Sequence, residues 1–105
     1  MALSIKPYIE NKERIHLIGI GGVSMNSLGE LLLSRGVPVS GSDRLRTDVT
    51  ARLEALGAKI TYEHKPENVG GASLIVRTAA VHDDNPEIVR AHELGIPVME
   101  RAEAW

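Results

Sequence analysis

The sequence predicts an α/β fold, a doubly wound parallel sheet of about five strands in a single domain. Short apolar segments alternate along the chain with segments whose apolar residues recur at helical spacing. At three junctions a glycine ends a helix and a strand begins within about three residues. Alternating strands and helices form right-handed βαβ units, so the strands are expected to be parallel. The three junctions are Leu33–Val39, Leu56–Ile60 and Leu94–Val98.

The first strand is predicted over residues 15–18, an apolar run typical of a covered parallel strand. A glycine-rich turn follows at residues 19–22, and a helix begins near Ser24. The first turn of this helix contains no acidic residue, because Glu30 is the first acid along it. Its free amide groups are therefore open to an anion. The stretch predicts a site for phosphate or pyrophosphate, and the alternative is a turn that binds nothing.

The same signals predict the remaining elements. A helix over residues 47–56 is capped by Thr47 and has Val49, Leu53 and Leu56 along one face. Another helix begins at Pro86, with Asn85 as its cap. Further strands are predicted at residues 37–43, 58–62, 72–76 and 97–99. A helical turn is predicted near Glu67, and a last helix from Ala102 to Trp105. Residues 1–13 are expected to form a leader that packs loosely through Ile5, Tyr8 and Ile9.

Composition limits the classes of function. The 105 residues are 43% hydrophobic and lack Phe, so the core must be aliphatic. A net charge of −2 gives no reason to expect a nucleic acid or membrane partner. The absence of cysteine excludes disulfides, thiolate catalysis and zinc–sulfur sites. No signal peptide or membrane-spanning run is recognisable, so the expected location is the cytoplasm.

Three places could contact a ligand at the carboxyl ends of the strands. A dinucleotide-binding pattern has glycine at its first, third and sixth positions, but Ser24 occupies the sixth. Asp43 follows the glycine turn at the interval of an acid that binds a ribose hydroxyl, although it could simply cap a polar loop. The small residues Thr78, Ala79 and Ala80 would let a flat ring or a phosphate approach the backbone, and they could also serve packing.

No residues have the spacing of a catalytic or metal centre. The four histidines match no metal-binding spacing, and His16 is expected to be a structural hydrogen-bonding residue in the first strand. The sequence contains no nucleophile elbow and no GxxxxGK[ST] loop. It therefore predicts a chain that binds a ligand rather than one that catalyses a reaction.

Several blocks together resemble the N-terminal domain of the L-alanine-adding enzymes of the Mur ligase family. The resemblance covers nearly all of residues 15–105. It implies a Rossmann-like domain that holds the UDP part of UDP-N-acetylmuramate, with ATP and Mg²⁺ bound by a central domain and L-alanine by the complete enzyme. The blocks are Ile18–Met25, Val39–Asp43, Thr78–Val81, Asp84–Glu87 and Pro97–Glu103.

The resemblance also implies which residues contact the ligand. The diphosphate would face Gly21, Gly22, Val23, Ser24, Met25 and Asn26; the uridine would lie by Ser42 and Asp43; Thr78, Ala79 and Ala80 would form the opposite wall. It implies an ATP-dependent ligase of cytoplasmic peptidoglycan synthesis whose ATP-binding and C-terminal domains are absent from these 105 residues, so the chain alone is expected to be inactive. Ser24 and Arg77 depart from the residues usual in the family.

Three other functions stay open at this point. A related ligase attaches a recycled tripeptide to the same nucleotide sugar. An NAD(P)-binding domain of an oxidoreductase would be expected to have the sixth-position glycine. A nucleotide-sensing domain would couple ligand binding to self-association.

Overall fold

The computed structural model describes residues 4–104 and contains one five-stranded sheet in which every strand pair is parallel. The sheet order is β3-β2-β1-β4-β5. The predicted α/β, doubly wound parallel fold is therefore confirmed. The strands are β1 (Ile15–Ile18), β2 (Val39–Ser42), β3 (Lys59–Thr61), β4 (Leu74–Arg77) and β5 (Val98–Glu100). The helices are α1 (Lys6–Glu10), α2 (Val23–Ser34), α3 (Asp48–Ala55) and α4 (Pro86–Glu93), with 3₁₀ helices at Pro66–Val69 and Arg101–Glu103.

Helices cover both faces of the sheet, and alternate strand residues point to opposite faces. Ile15 and Leu17 of β1 pack in a cluster with side chains of α2 and α3, whereas Ile18 packs with α4 and the first 3₁₀ helix. Except for two methionines, the large fully buried side chains are all Ile and Leu, which confirms the aliphatic core. Both faces of β1 are buried, and β2 and β4 pair with its two edges. The strand is therefore enclosed on all sides.

The three glycine junctions form as predicted. Gly36, Gly57 and Gly95 each follow a helix with φ of +76°, +115° and +72°, a conformation that side-chain-bearing residues rarely adopt. The helix caps also agree: Thr47 forms a capping box with Thr50, and the side-chain Oδ1 of Asn85 accepts from the Glu87 amide at 2.9 Å. Local sequence signals therefore set where these helices begin and end.

The predicted buried face of α3 is only partly correct. Leu53 is buried, but Val49 is 39% exposed and Leu56 is 52% exposed. Thr50 is buried instead, and its methyl group lies against Gly21 of the glycine turn. The face of α3 that meets the core is therefore rotated from the one that apolar spacing predicts.

The leader is more ordered than the sequence prediction. Residues 6–10 form α1, which was not predicted because a helix of five residues is too short to show an amphipathic repeat. The helix forms where Tyr8 and Ile9 pack against the core beside buried Ile5, as expected for these three side chains. Residues 1–3 of the leader and Trp105 lie outside the described residues.

The topology brings two loops together at one edge of the sheet. From β1 the chain passes outward to β2 and β3 and then returns to β4 on the other side of β1. In open α/β sheets, ligands bind at this reversal, beside the carboxyl ends of the strands. The loops that follow β1 and β4 are residues 19–22 and 78–85.

Candidate functional site

The glycine turn after β1 uses its own amide groups to fold. The amides of Gly19 and Ile20 both donate to the Ser42 carbonyl, at 2.8 and 3.0 Å, and the Gly22 amide donates to the Gly19 carbonyl at 2.9 Å. The Gly21 amide donates to Asp43 Oδ2 at 2.9 Å. The turn amides therefore have acceptors within the protein and are not open to a ligand.

The open amides lie one step further along the chain, in the first turn of α2. Val23, Ser24 and Met25 donate to no acceptor among the described residues, and α2 has neither a capping side chain nor an acid in its first turn. Backbone amides at the start of a twelve-residue helix form a favourable site for an anion. The Met25 side chain is buried in the core, so only its backbone faces this site. The Asn26 side-chain amide donates to the carbonyl of Gly22, at 2.8 Å.

A crevice of about 480 Å³ opens at this end of α2. Ser24 forms one wall and Thr78 and Ala79 form the other, as the resemblance implied for a ligand between them. Arg101 closes the far side, where its Nε donates to the Ser24 carbonyl at 3.0 Å. The crevice therefore joins the predicted phosphate site to the small residues after β4.

A second, larger cleft of about 790 Å³ lies at the same edge of the sheet. Ala80 lines it, so the three small residues after β4 divide between the two cavities. The cavities are neighbours, because the Cα atoms of Ala79 and Ala80 are only about 3.8 Å apart. The other residues along this cleft are Arg44, Tyr62, Glu63, His64, Val81, His82, Asp84, Asn85 and Pro86.

The two residues that the sequence analysis assigned to the uridine have different environments. Asp43 is half-buried, and its carboxylate accepts from the amides of Gly21 at 2.9 Å and Leu45 at 3.0 Å. Ser42 is fully buried, and its hydroxyl donates to Glu87 Oε2 at 2.7 Å. Asp43 therefore ties the glycine turn to the loop after β2. The hydroxyl group of Ser42 is instead engaged by Glu87 inside the fold.

Arg77, at the end of β4, holds the loop that follows the strand. Its guanidinium hydrogen-bonds the Val81 carbonyl and pairs with the Asp83 carboxylate. The hydrogen bond from Arg77, together with its positive charge, holds the pKa of the Asp83 carboxyl below its ordinary value. Arg77 therefore acts from the end of the strand on the wall that Thr78–Ala80 form.

A cluster of buried polar side chains, which was not predicted from the sequence, lies behind the larger cleft. Glu87 is fully buried, and its carboxylate binds His16 from β1, Ser42 from β2 and His64 from the loop after β3. Burial favours the neutral acid, but the hydrogen bonds from His16, His64 and Ser42 hold the pKa of the Glu87 carboxyl below its ordinary value. The expectation that His16 is a structural hydrogen-bonding residue is confirmed. The sequence signal that could have indicated this cluster is Glu87 itself, an acid at the second position of α4, whose first turn packs against the sheet.

The described residues contain no cluster suited to a metal ion. In the range 4–104, no three His, Asp or Glu side chains are placed to hold one. The sequence also lacks a GxxxxGK[ST] loop. The residues present therefore do not fit Mg²⁺ with ATP.

None of the helices in residues 4–104 is long and apolar enough to cross a membrane.

The fold and the site define a class: an α/β domain with a Rossmann-like sheet and a helix start with open backbone amides at the reversal of strand order. Residues 14–105 match the family model for the Mur ligase family, catalytic domain. The chain therefore belongs to the Mur ligase family, and corresponds to an N-terminal domain of these proteins, as the sequence blocks indicated.

Named relatives agree with this assignment. UDP-N-acetylmuramate–L-alanine ligase from Geobacter sp. (strain M21) is 52% identical over 91 residues, which are 87% of this chain and 20% of the relative. The crystal structure of UDP-N-acetylmuramate-alanine ligase from Thermotoga maritima matches with a TM-score of 0.81 and 40% identity, over 85% of this chain and 21% of that one. The chain thus spans about a fifth of the length of these relatives.

A second branch of the family also has this domain. The UDP-N-acetylmuramate:L-alanyl-γ-D-glutamyl-meso-diaminopimelate ligase of Neisseria meningitidis matches with a TM-score of 0.76 and 25% identity. The match covers 85% of this chain and 28% of that one. The fold is therefore shared between the two branches, while the sequence is closer to the named L-alanine ligases.

Proposed function

We propose that this chain binds the UDP part of UDP-N-acetylmuramate for an ATP-dependent ligase of cytoplasmic peptidoglycan synthesis. The observation that carries the proposal is the start of α2, where three backbone amides are open beside a crevice. A diphosphate is the kind of anion that such amides bind. The names of the Geobacter and Thermotoga relatives support UDP-N-acetylmuramate as the ligand.

Each part of the site would then hold one part of the nucleotide sugar. The amides of Val23, Ser24 and Met25 would hold the diphosphate, since no acid in the first turn of the helix opposes it. Ala80 and the larger cleft would accommodate the nucleoside, while Thr78 and Ala79 would let the phosphates approach the β4 loop. The chain would orient the nucleotide so that the sugar extends towards the rest of the ligase.

The joining reaction would take place outside these 105 residues. In the parent protein, the muramyl carboxylate of the ligand would be joined to L-alanine, with ATP and Mg²⁺ supplying the activation of the carboxylate. Higher identity to the L-alanine ligases than to the tripeptide-adding ligase supports L-alanine as the amino acid. We expect the isolated chain to bind nucleotide sugar without ligase activity.

The test is an NMR titration of the ¹⁵N-labelled chain with UDP-N-acetylmuramate, and with NADH in a parallel sample. We expect the nucleotide sugar to shift the amide signals of Val23–Met25 and Thr78–Ala80, since these groups surround the proposed diphosphate site. The same shifts with NADH alone would replace the proposal with a dinucleotide-binding function. If neither ligand shifted these signals, the proposed site in this chain would be refuted.

Asp43→Ala should weaken binding of UDP-N-acetylmuramate while the fold is retained. The change removes the acceptor of the Gly21 amide and of the Leu45 amide, so the glycine turn loses its tie to the loop after β2. Calorimetry measures the affinity, and the ¹⁵N spectrum reports the fold. Asp48→Ala is the matched control, because the exposed Asp48 side chain makes neither contact. Equal affinity in the two variants would remove Asp43 from the site.

A further inference from the structure

The buried carboxylate of Glu87 accepts hydrogen bonds from three side chains on three other elements. Ser42 Oγ donates to Oε2 at 2.7 Å, His64 Nδ1 lies 2.6 Å from the same oxygen, and His16 Nε2 contacts Oε1. An ionised carboxylate has acceptors only. The two histidines must therefore each direct an N–H at Glu87, His16 from Nε2 and His64 from Nδ1.

This arrangement sets the tautomer of His64. A neutral imidazole carries one N–H, and in the neutral form of His64 that hydrogen is on Nδ1, facing Glu87. Nε2 therefore has a free lone pair and acts as a hydrogen-bond acceptor. His16 completes the same pattern, since its Nδ1 lies 2.8 Å from Ser40 Oγ, which can donate to it.

Nε2 of His64 is accessible from the larger cleft. His64 lines that cleft, its side chain is 17% exposed, and Nε2 has no hydrogen-bond partner among the described residues. No buried side-chain nitrogen or oxygen of the described part of the chain is without a partner, so Nε2 itself must reach solvent. Ser42 lies behind the ring, 3.2 Å from Nδ1. His64 thus occupies the position between Ser42 and a ligand.

We propose that His64 Nε2 accepts a hydrogen bond from an N–H group of the ligand's base, and that Glu87 is the positioning residue that keeps Nε2 an acceptor. The proposal rests on the proposed function and extends it to selection of the base. A uracil ring has an N–H at N3, whereas N3 of cytosine is an acceptor. An acceptor held at this point of the cleft favours uridine nucleotides over cytidine nucleotides, because the mismatch leaves two acceptors facing each other.

Other polar groups along the cleft are less suited to this selection. Arg44 can only donate. Glu63 pairs with Lys65 at 3.0 Å on the exposed surface, and Asp84 is exposed without a partner that fixes it. His82 is also exposed and does not contact Glu87. His64 is the cleft residue whose ring is held from behind by a buried acid.

The binding test compares the affinities for UDP and CDP, measured by calorimetry, in the whole 105-residue chain. In His64→Asn, the Asn amide can still donate to Glu87 from the Nδ1 position, but no acceptor remains at the position of Nε2. We expect the preference for UDP over CDP to fall about three- to tenfold, the range for one net hydrogen bond. His92→Asn is the matched control, because it makes the same substitution at an exposed histidine of α4 that lines neither cavity, and it should keep the preference of the unmodified protein.

The tautomer is tested separately and without ligand. Long-range ¹H–¹⁵N NMR spectra at about pH 8, where histidine is ordinarily neutral, should show the hydrogen of His64 on Nδ1. Glu87→Gln, which places an amide in the same space, should reduce the population of this tautomer and lower the preference for UDP. Since Glu87→Gln could fail to fold, the unmodified protein and His64→Asn carry the test without it.

The outcomes separate this proposal from the one on which it rests. If the unmodified chain binds neither UDP nor UDP-N-acetylmuramate, the proposed function is wrong and the role of His64 falls with it. If the chain binds UDP but His64→Asn keeps the same preference over CDP, only the role of His64 is refuted. A hydrogen on Nε2 in the unmodified chain would overturn the positioning role of Glu87.

Discussion

Replacing Gly41 by alanine should destabilise the whole domain. Gly41 lies in the middle of β2, opposite Leu17 of β1 and Ile60 of β3. A Cβ atom at this position would lie 2.6 Å from Ile20 Cδ1, 2.7 Å from Ile20 Cβ and 2.9 Å from the Leu17 carbonyl oxygen. Two of these atoms, Ile20 Cβ and the carbonyl oxygen, are fixed by the backbone, so a rotation of the Ile20 side chain cannot relieve the overlap.

The magnitude follows from the cost of overpacking a well-packed interior, about 1–3 kcal/mol. The overlap at Gly41 involves a strand backbone, so we expect a loss of about 2–3 kcal/mol in the free energy of unfolding. For a domain of this size, that corresponds to a decrease of roughly 10–20 °C in Tm. Ile20 is also part of the glycine turn, so the same change should displace the start of α2 and weaken nucleotide binding.

Urea unfolding followed by circular dichroism measures the loss, and Gly29→Ala is the matched control. Gly29 is also buried, but a Cβ atom there would meet side-chain atoms of Leu17 and Leu53 at 3.4 and 3.6 Å, an ordinary contact. Alanine favours a helix over glycine by about 1 kcal/mol, so this variant should be as stable as the unmodified protein or more so. A Gly41→Ala protein as stable as Gly29→Ala would refute the close approach of β2 to Ile20.

Three further changes test other contacts. Thr47→Ala should cost about 1 kcal/mol in urea unfolding, because it removes the hydroxyl that caps α3, while Thr47→Ser should restore the stability; equal values for both would contradict the capping box. In the folded protein the pKa of the Glu87 carboxyl is below its ordinary value of 4.5. Ionisation of Glu87 therefore stabilises the fold fully above pH 4.5, and this stabilisation is lost as the pH falls through the lower pKa of the folded state. The difference in unfolding free energy between the unmodified protein and Glu87→Gln should therefore shrink as the pH falls below 4.5, and a constant difference would contradict the lowered pKa. Arg77→Met should speed hydrogen exchange at the Val81 amide, which donates to the Thr78 carbonyl, with little change in global stability; unchanged exchange would show that Arg77 does not hold the loop.

The sequence by itself determined the five strands, their order along the chain and the three longer helices, but not α1. Glycines after the helices, Thr47 and Asn85 as caps, and the alternation of strand with helix all act over a few residues, so they can be recognised without the fold. The absence of acids in the first turn of α2 is also a local property, and it is the sequence signal that predicts an anion site at this end of the helix. The blocks of the Mur ligase family led to the same assignment as the whole-chain comparison.

Only the tertiary structure decided which groups are available to a ligand. The amides of the glycine turn are occupied by the Ser42 carbonyl and the Asp43 carboxylate, so the open amides belong to the next residues along the chain. Glu87 meets His16 across 71 residues of chain and His64 across 23. These contacts depend on the register of β1 with β2 and on where α4 docks against the sheet, and both are set by packing across the whole core.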